Sequence, residues 1–250
     1  MIHCEPRGPV SVLRMEHGKV NALDVELFEA LDRELSAVEA SDSRAVVLTG
    51  SGKAFSAGVD LFRILNGGED YLHRFLPLLS SGLERLFLFP KPVVAAINGH
   101  ALAGGCIIAC ACDYRVMARG PATIGVTELR VGVPFPATPL EILRFAAAPH
   151  TIQETIYSGR PYSPEEGLVR GLIDEITEPE GLLERACEVA AGYGEIPAES
   201  FRITKHQLRR PVMERAAAEP MDGEIREQWS SPEIHTAVRG YLQKTIGKKA

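Results

Sequence analysis

Residues 98–115 read NGHALAGGCIIACACDYR, and this stretch decides how the rest of the chain is read. Gly104 and Gly105 open a run of Cys, Ala and Ile so apolar that only a buried helix can hold it. A helix that begins inside a protein leaves its first N–H groups without intrahelical partners. Those groups suit an anion or a polarised oxygen rather than water. Just before it, PVVAAING (92–99) is a short apolar run stopped by Gly, the pattern of a strand buried on both faces, and AVVLTG (45–50) repeats that pattern. VVLTGSGKAFSAGVD and VVAAINGHALAGGCI thus share one order: buried strand, Gly, loop, Ala-Gly. Each is expected to deliver backbone N–H groups at the end of its loop, and two such loops side by side can converge on one oxygen.

Outward from this core, VSVLRM (10–15) alternates like a strand, and Asp24 precedes Leu27, Phe28, Leu31, Leu35 and Val38 on one helical stripe. The spacing predicts a second helix over 70–89, kinked or broken at Pro77. DYRVMA (113–118) follows the Gly-opened helix as a further strand. Strands and helices alternate to about residue 195, which argues α/β with mainly parallel strands. From Pro197 onward the pattern is helical only, in pieces expected to break at Pro211, Pro220 and Pro232. The chain therefore divides into a core, 1–195, and a helical region, 196–250. Leu208, Val212, Met213, Ile225 and Trp229 of that region have no strand layer left to cover, so the region is expected to pack on another subunit.

The 250 residues are 45% hydrophobic and 24% charged, values expected of a soluble globular protein. A net charge of −6 with scattered basic residues argues against nucleic acid as a partner. The one basic cluster, Lys205 to Arg210, reads either as the solvated face of a helix or as a contact for a small anionic ligand. MIHCEPRGPV has no apolar signal region, so a cytoplasmic protein is expected. The longest uncharged stretch, 101–112, is too short to span a bilayer, and no membrane association is expected. Five cysteines, three of them in one apolar segment, have no partner pair at zinc-like spacing, and so read as small buried hydrophobes with no metal.

No phosphate-binding G-x-x-x-x-G-K-[ST], no G-x-G-x-x-G after a first strand and no G-x-S-x-G nucleophile elbow occurs. Taken together, GSGKAFSAGVDL (50–61), INGHALAGGCIIACACDYR (97–115) and IGVTELRVGVPF (124–135) resemble the enoyl-CoA hydratase/isomerase, or crotonase, superfamily. The resemblance spans nearly the whole chain and is weakest after residue 195. It implies an α/β spiral of repeated ββα turns with a C-terminal helical trimerisation region. It also implies an acyl thioester of coenzyme A as substrate, no separate cofactor, and a homotrimer or dimer of trimers. The family's oxyanion hole, two backbone N–H groups, falls on Val59 and Gly104. Such donors stabilise the enolate formed when a proton leaves the carbon beside a thioester carbonyl, and one donor contributes about 2.7–4 kcal/mol in the transition state.

In the family's hydratases a Glu stands at the position of Ile107 and works with a second Glu to hold and deprotonate water. Here only the second is kept, as Glu128. Moving a double bond from C3 to C2 needs one carboxylate, which takes a proton from C2 and returns it to C4. Ile107 with Glu128 therefore resembles the Δ3,Δ2-enoyl-CoA isomerase branch. Pro136, where diene-isomerising members carry an additional Asp, argues against that activity. The alternatives are other acyl-CoA chemistry through the same enolate, such as hydration, decarboxylation or thioester hydrolysis, and a non-catalytic acyl-CoA-binding protein. Around the first donor, Ala57 and Leu61 are expected to contact substrate and Asp60 to cap the turn. Lys19 is expected near the adenine of the coenzyme, Lys205 at a phosphate, and His100 in a structural role. Phe62, Leu65, Tyr71, Leu72, Phe75 and Leu76 are the expected wall of the acyl pocket, and Glu141 is the substitute base should Glu128 not serve.

Overall fold

The computed structural model describes residues 1–218 and 221–246. In chain order its elements are β1 (Ile2–Arg7), β2 (Val10–Met15), α1 (Val25–Glu39), β3 (Ala45–Thr49), β4 (Ala54–Ser56), α2 (Leu61–Phe87), β5 (Val93–Ile97) and β6 (His100–Leu102). There follow α3 (Gly104–Ala111), β7 (Tyr114–Ala118), β8 (Ile124–Gly125), α4 (Glu128–Val131), α5 (Ala137–Ala146), α6 (Ile152–Ser158), α7 (Pro164–Val169) and β9 (Glu175–Thr177). The chain continues through α8 (Leu182–Gly194), α9 (Ala198–Ala218), α10 (Asp222–Ser230) and α11 (Pro232–Ile246).

Three times the chain runs strand, strand, helix: β3-β4-α2, β5-β6-α3 and β7-β8-α4. The first strand of each turn joins a six-stranded sheet in the order β1-β2-β3-β5-β7-β9, and the second joins a three-stranded sheet, β4-β6-β8. Apart from the β1–β2 hairpin every strand pairing in these sheets is parallel. This is the spiral expected from the repeated strand-Gly-loop pattern, stacked turn on turn. Alternation within β3 explains its continuous apolar run: Val46 and Leu48 join the main core with α1 and α2, while Ala45 and Val47 pack on Leu182, Ala186 and Ala190 of α8.

Local signals set the helix starts. Asp24 caps α1, its carboxylate accepting from Leu27 N–H at 2.8 Å, and Asp60 caps α2 by accepting from Phe62 and Arg63 N–H. The expected kink at Pro77 is not where α2 departs from helical geometry. That departure is at Gly68, with φ 61° and ψ −160°, a conformation open to glycine at little cost, while Pro77 stays within the helix. Similarly, α9 runs through Pro211 without ending, and Pro232 opens α11 as its first residue. The expected break at Pro220 lies outside the described residues.

In the helical region two readings are corrected: that its apolar residues lack cover within the chain, and that its basic cluster is a solvated face or an anion contact. Val212, Met213, Ile225 and Trp229 are buried within this chain, packed on the main core, and only Leu208 of the five is exposed. The cluster at 205–210 is neither a wholly solvated face nor an anion contact: Lys205 and Arg209 belong to the inward stripe Lys205, Arg209, Val212, Met213, Ala216. Lys205 Nζ lies 2.7 Å from Asp113 Oδ2, and Arg209 Nη2 lies 2.9 Å from Asp113 Oδ1. Arg209 also donates to the carbonyls of Phe87, Ala111 and Cys112, so it closes the C-terminal ends of both α2 and α3. Burial pushes the Lys205 ammonium down to about 8, against the pull of Asp113.

Arg209→Leu leaves Asp113 and three carbonyls short of a donor in the interior. It should destabilise the protein by about 3–5 kcal/mol in denaturant titration. The neighbouring exposed Arg210→Leu, which breaks a surface pair with Glu214, should cost at most about 1 kcal/mol.

Candidate active site

Two loops, one after β4 and one after β6, meet with almost no space between them. A Cβ on Gly58, which has φ +86°, would fall 2.7 Å from Ala103 Cβ and 3.1 Å from Gly104 N. On Gly105 it would fall 2.2 Å from the Ser56 carbonyl oxygen. Only glycine fits there, which explains half of the Gly pair. The other half is Gly104, the first residue of α3. Ala103 before it is held at φ 50°, ψ −127°, an unfavourable conformation for a residue with a side chain. It is fixed by its own N–H to Gly125 O and by Cys106 and Ile107 N–H groups donating to its carbonyl. No side chain caps α3, and among the described residues nothing accepts from Gly104 N–H.

Val59 sits in an isolated parallel bridge with Leu23, in which Leu23 N–H donates to Gly58 O and Asp60 N–H to Leu23 O. Both bonds use the flanking peptides, so the Val59 N–H is turned away from Leu23 and has no acceptor among the described residues. Val59 and Gly104 line one small cavity of about 20 Å³, together with Ile107, Glu128 and Trp229. A throat of about 50 Å³, lined by Ala57, Val59, Leu61, Ala103, Thr127 and Glu128 among others, adjoins it. Beyond the throat lies an open cleft of about 580 Å³ that includes Lys19, Ala57, Asp60 and Leu61. Val59 lines all three, so they form one path from the surface to Ile107.

Among the described residues, Glu128 is the only carboxylate lining the inner cavity and the throat, and Tyr241 adds a phenol at the throat. The residue keeps partial exposure, but its Oε2 is buried and has no hydrogen-bond partner among the described residues. Burial pushes its carboxyl up to about 7, against the opposing pull of the Glu128 and Thr127 backbone. Ile107, 1% exposed, stands in the same cavity and offers no polar group. Glu141, the substitute base, is instead neutralised by Arg144 and by Arg215, whose Nε lies 2.9 Å away, and lines none of these spaces.

The structure thus gathers Val59, Gly104, Glu128, Ile107, Ala57, Asp60, Leu61 and Lys19 along one path, and leaves Lys205 out. Lys205 is buried against Asp113 at the far end of α3, so its expected reach to a phosphate is corrected. His100 is structural in the plain sense: its Nδ1 is 3.0 Å from Thr123 Oγ1. Of the expected pocket wall, Phe62 lines the open cleft, whereas Leu72 and Phe75 are wholly buried in the core. The inner wall is Leu79, Leu83, Phe135 and Trp229. Trp229, Tyr241 and Leu242 bring the helical region into the path, whereas every expected site residue except Lys205 falls within 1–195. The lone Trp of the chain was the available signal.

A sequence profile described as Enoyl-CoA hydratase/isomerase matches residues 6–245. A putative enoyl-CoA hydratase of Thermus thermophilus is 36% identical over 207 residues, 81% of this chain and 81% of its own length. Mitochondrial enoyl-CoA delta isomerase 1 of Mus musculus is 28% identical over 253 residues, 98% of this chain and 87% of its own. The crystal structure of human mitochondrial delta3-delta2-enoyl-CoA isomerase superposes with a TM-score of 0.94 at 26% identity, covering 100% of this chain and 99% of that one.

Since the Glu128 carboxyl is raised in the folded state, ionising it weakens the fold: the penalty is absent below about pH 4.5 and complete above about pH 7. Glu128→Gln should therefore stabilise the free protein at pH 8 by about 2–3 kcal/mol and leave stability nearly unchanged at pH 4. Paired thermal or urea unfolding at the two pH values measures the difference.

Proposed function

This chain belongs to the enoyl-CoA hydratase/isomerase family, and from that premise we propose that it is an isomerase moving an enoyl-CoA double bond from C3 to C2. The acyl-CoA thioester enters by the open cleft, with Lys19, Ala57, Asp60 and Leu61 along the coenzyme and Ala57 and Leu61 at the throat. Its carbonyl oxygen sits between the Val59 and Gly104 N–H groups. Glu128 removes a proton from C2, the electrons delocalise over C4, C3, C2 and the thioester oxygen, and the same carboxyl returns the proton to C4. No water enters the balance.

The observation that carries this reading is the solitary carboxylate: Glu128 shares the inner cavity with Ile107 and no second acid. Hydration needs two polar groups to orient a water molecule, and an apolar partner disfavours one. A carboxyl raised to about 7 is also well matched to taking and returning a proton at neutral pH. The coenzyme is part of the substrate, and no separate cofactor has a role in these steps. We further propose that the chain works as a homotrimer or dimer of trimers through residues 196–250. Ile203 and Leu208, apolar and exposed on α9, support that reading, and a stable monomer in sedimentation at micromolar concentration would contradict it.

Glu128→Gln should keep CoA thioester binding and lower isomerase turnover about 10²–10⁴-fold. In the unaltered enzyme kcat/KM should rise with pH and level off above about pH 7, as the carboxyl ionises. Ile107→Glu supplies the second polar group and should add hydration of 2-enoyl-CoA. A folded variant that binds thioester without hydrating it would show that water access, not the missing carboxylate, sets the reaction.

A further inference from the structure

Behind the inner cavity lies a second one, of about 90 Å³, lined by Leu76, Pro77, Ser80, Pro136, Ile225 and Arg226. The two share Pro136 and are bounded by consecutive turns of the same helices. On α2, Leu76 and Ser80 precede Leu79 and Leu83 by one turn. On α10, Ile225 and Arg226 precede Trp229 by one turn. The second cavity therefore continues the groove between α2 and α10, displaced by roughly 5.4 Å, one helical pitch, from the first.

Its chemistry differs from that of the first. Arg226 Nε is buried without a hydrogen-bond partner, and Arg226 forms no ion pair among the described residues. Ser80 adds a hydroxyl, and the remaining walls are apolar. A guanidinium cannot give up its charge, and its buried Nε–H, with no acceptor among the described residues, is unfavourable beside Leu, Pro and Ile side chains, while the rest of the partly exposed side chain can reach an incoming acceptor. The acceptor that matches its planar fork is a carboxylate.

We propose that the acyl path extends past Trp229 into this second cavity and that Arg226, with Ser80, binds a carboxylate at the far end of the acyl chain. The preferred substrates are then thioesters of dicarboxylic acyl groups, the coenzyme on one end and a free acid on the other. This rests on the reading that the inner cavity holds the acyl chain. It deepens that reading by naming the class of chain.

Isothermal titration of the full chain with saturated acyl-CoA thioesters of four to ten carbons, ending either in methyl or in carboxylate, tests this without requiring turnover. At one chain length or more, the carboxylate-ended thioester should bind at least tenfold tighter than its methyl-ended counterpart, and Arg226→Met should abolish that preference. Butanoyl-CoA binding by the variant reports whether it has folded. If it has not, Arg226→Lys, which keeps the charge and loses the fork, should reduce the preference instead. Equal binding of both series at every length, or a preference that survives the substitution, overturns the proposal. Because saturated thioesters undergo no isomerisation, failure of the isomerase reading would leave this result standing. Isomerisation of methyl-ended substrates without any carboxylate preference would remove this inference alone.

Discussion

Two loops from successive turns of the spiral bring the Val59 and Gly104 N–H groups, neither with an acceptor among the described residues, to one cavity, and the closeness of those loops governs the structure around them. Gly58 and Gly105 lie where any side chain would collide with the opposite loop, at 2.7 Å and 2.2 Å from its atoms. Ala103 accepts an unfavourable backbone conformation so that Gly104 can begin α3 with its N–H free. The strain is held by hydrogen bonds to Gly125 of β8 and to Cys106 and Ile107 of α3. A loop in isolation would relax; the stacked turns prevent it.

The same helix is fixed from its other end. Arg209 donates to the last carbonyls of α3 and to the end of α2, and Asp113 holds both Arg209 and Lys205 while accepting from Val93 N–H. Donors at the C-terminus of α3 complement the field that favours negative charge at its N-terminus. The helical region thus does two jobs within one chain. It clamps the back of α3, and through Trp229 and Tyr241 it closes the path in front of Glu128.

Much of this was legible in the sequence because it is local. The repeated strand-Gly-loop segments carry the spiral, Asp24 and Asp60 stand immediately before the helices they cap, and Ile107 and Glu128 fall where the motifs put them. What escaped was decided by tertiary contacts. Pro77 and Pro211 attracted the breaks, yet the chain bends at Gly68, where a left-handed residue is inexpensive. Lys205 and Arg209 looked like surface charge because composition does not reveal a buried carboxylate partner. Their spacing with Val212 and Ala216 was a helical stripe that pointed inward all along. Trp229 and Tyr241 are distant in sequence from every motif, so nothing local joined them to the site.

The central claim is that one carboxyl carries one proton from C2 to C4 in a cavity that excludes a second polar group. A 3-enoyl-CoA bearing deuterium at C2, turned over in ordinary water and analysed for the position of the label, tests it directly. The account predicts 2-enoyl-CoA with a measurable fraction of the label at C4 and no accompanying 3-hydroxyacyl product. A 3-hydroxyacyl thioester as the main product, with no label at C4, would contradict it.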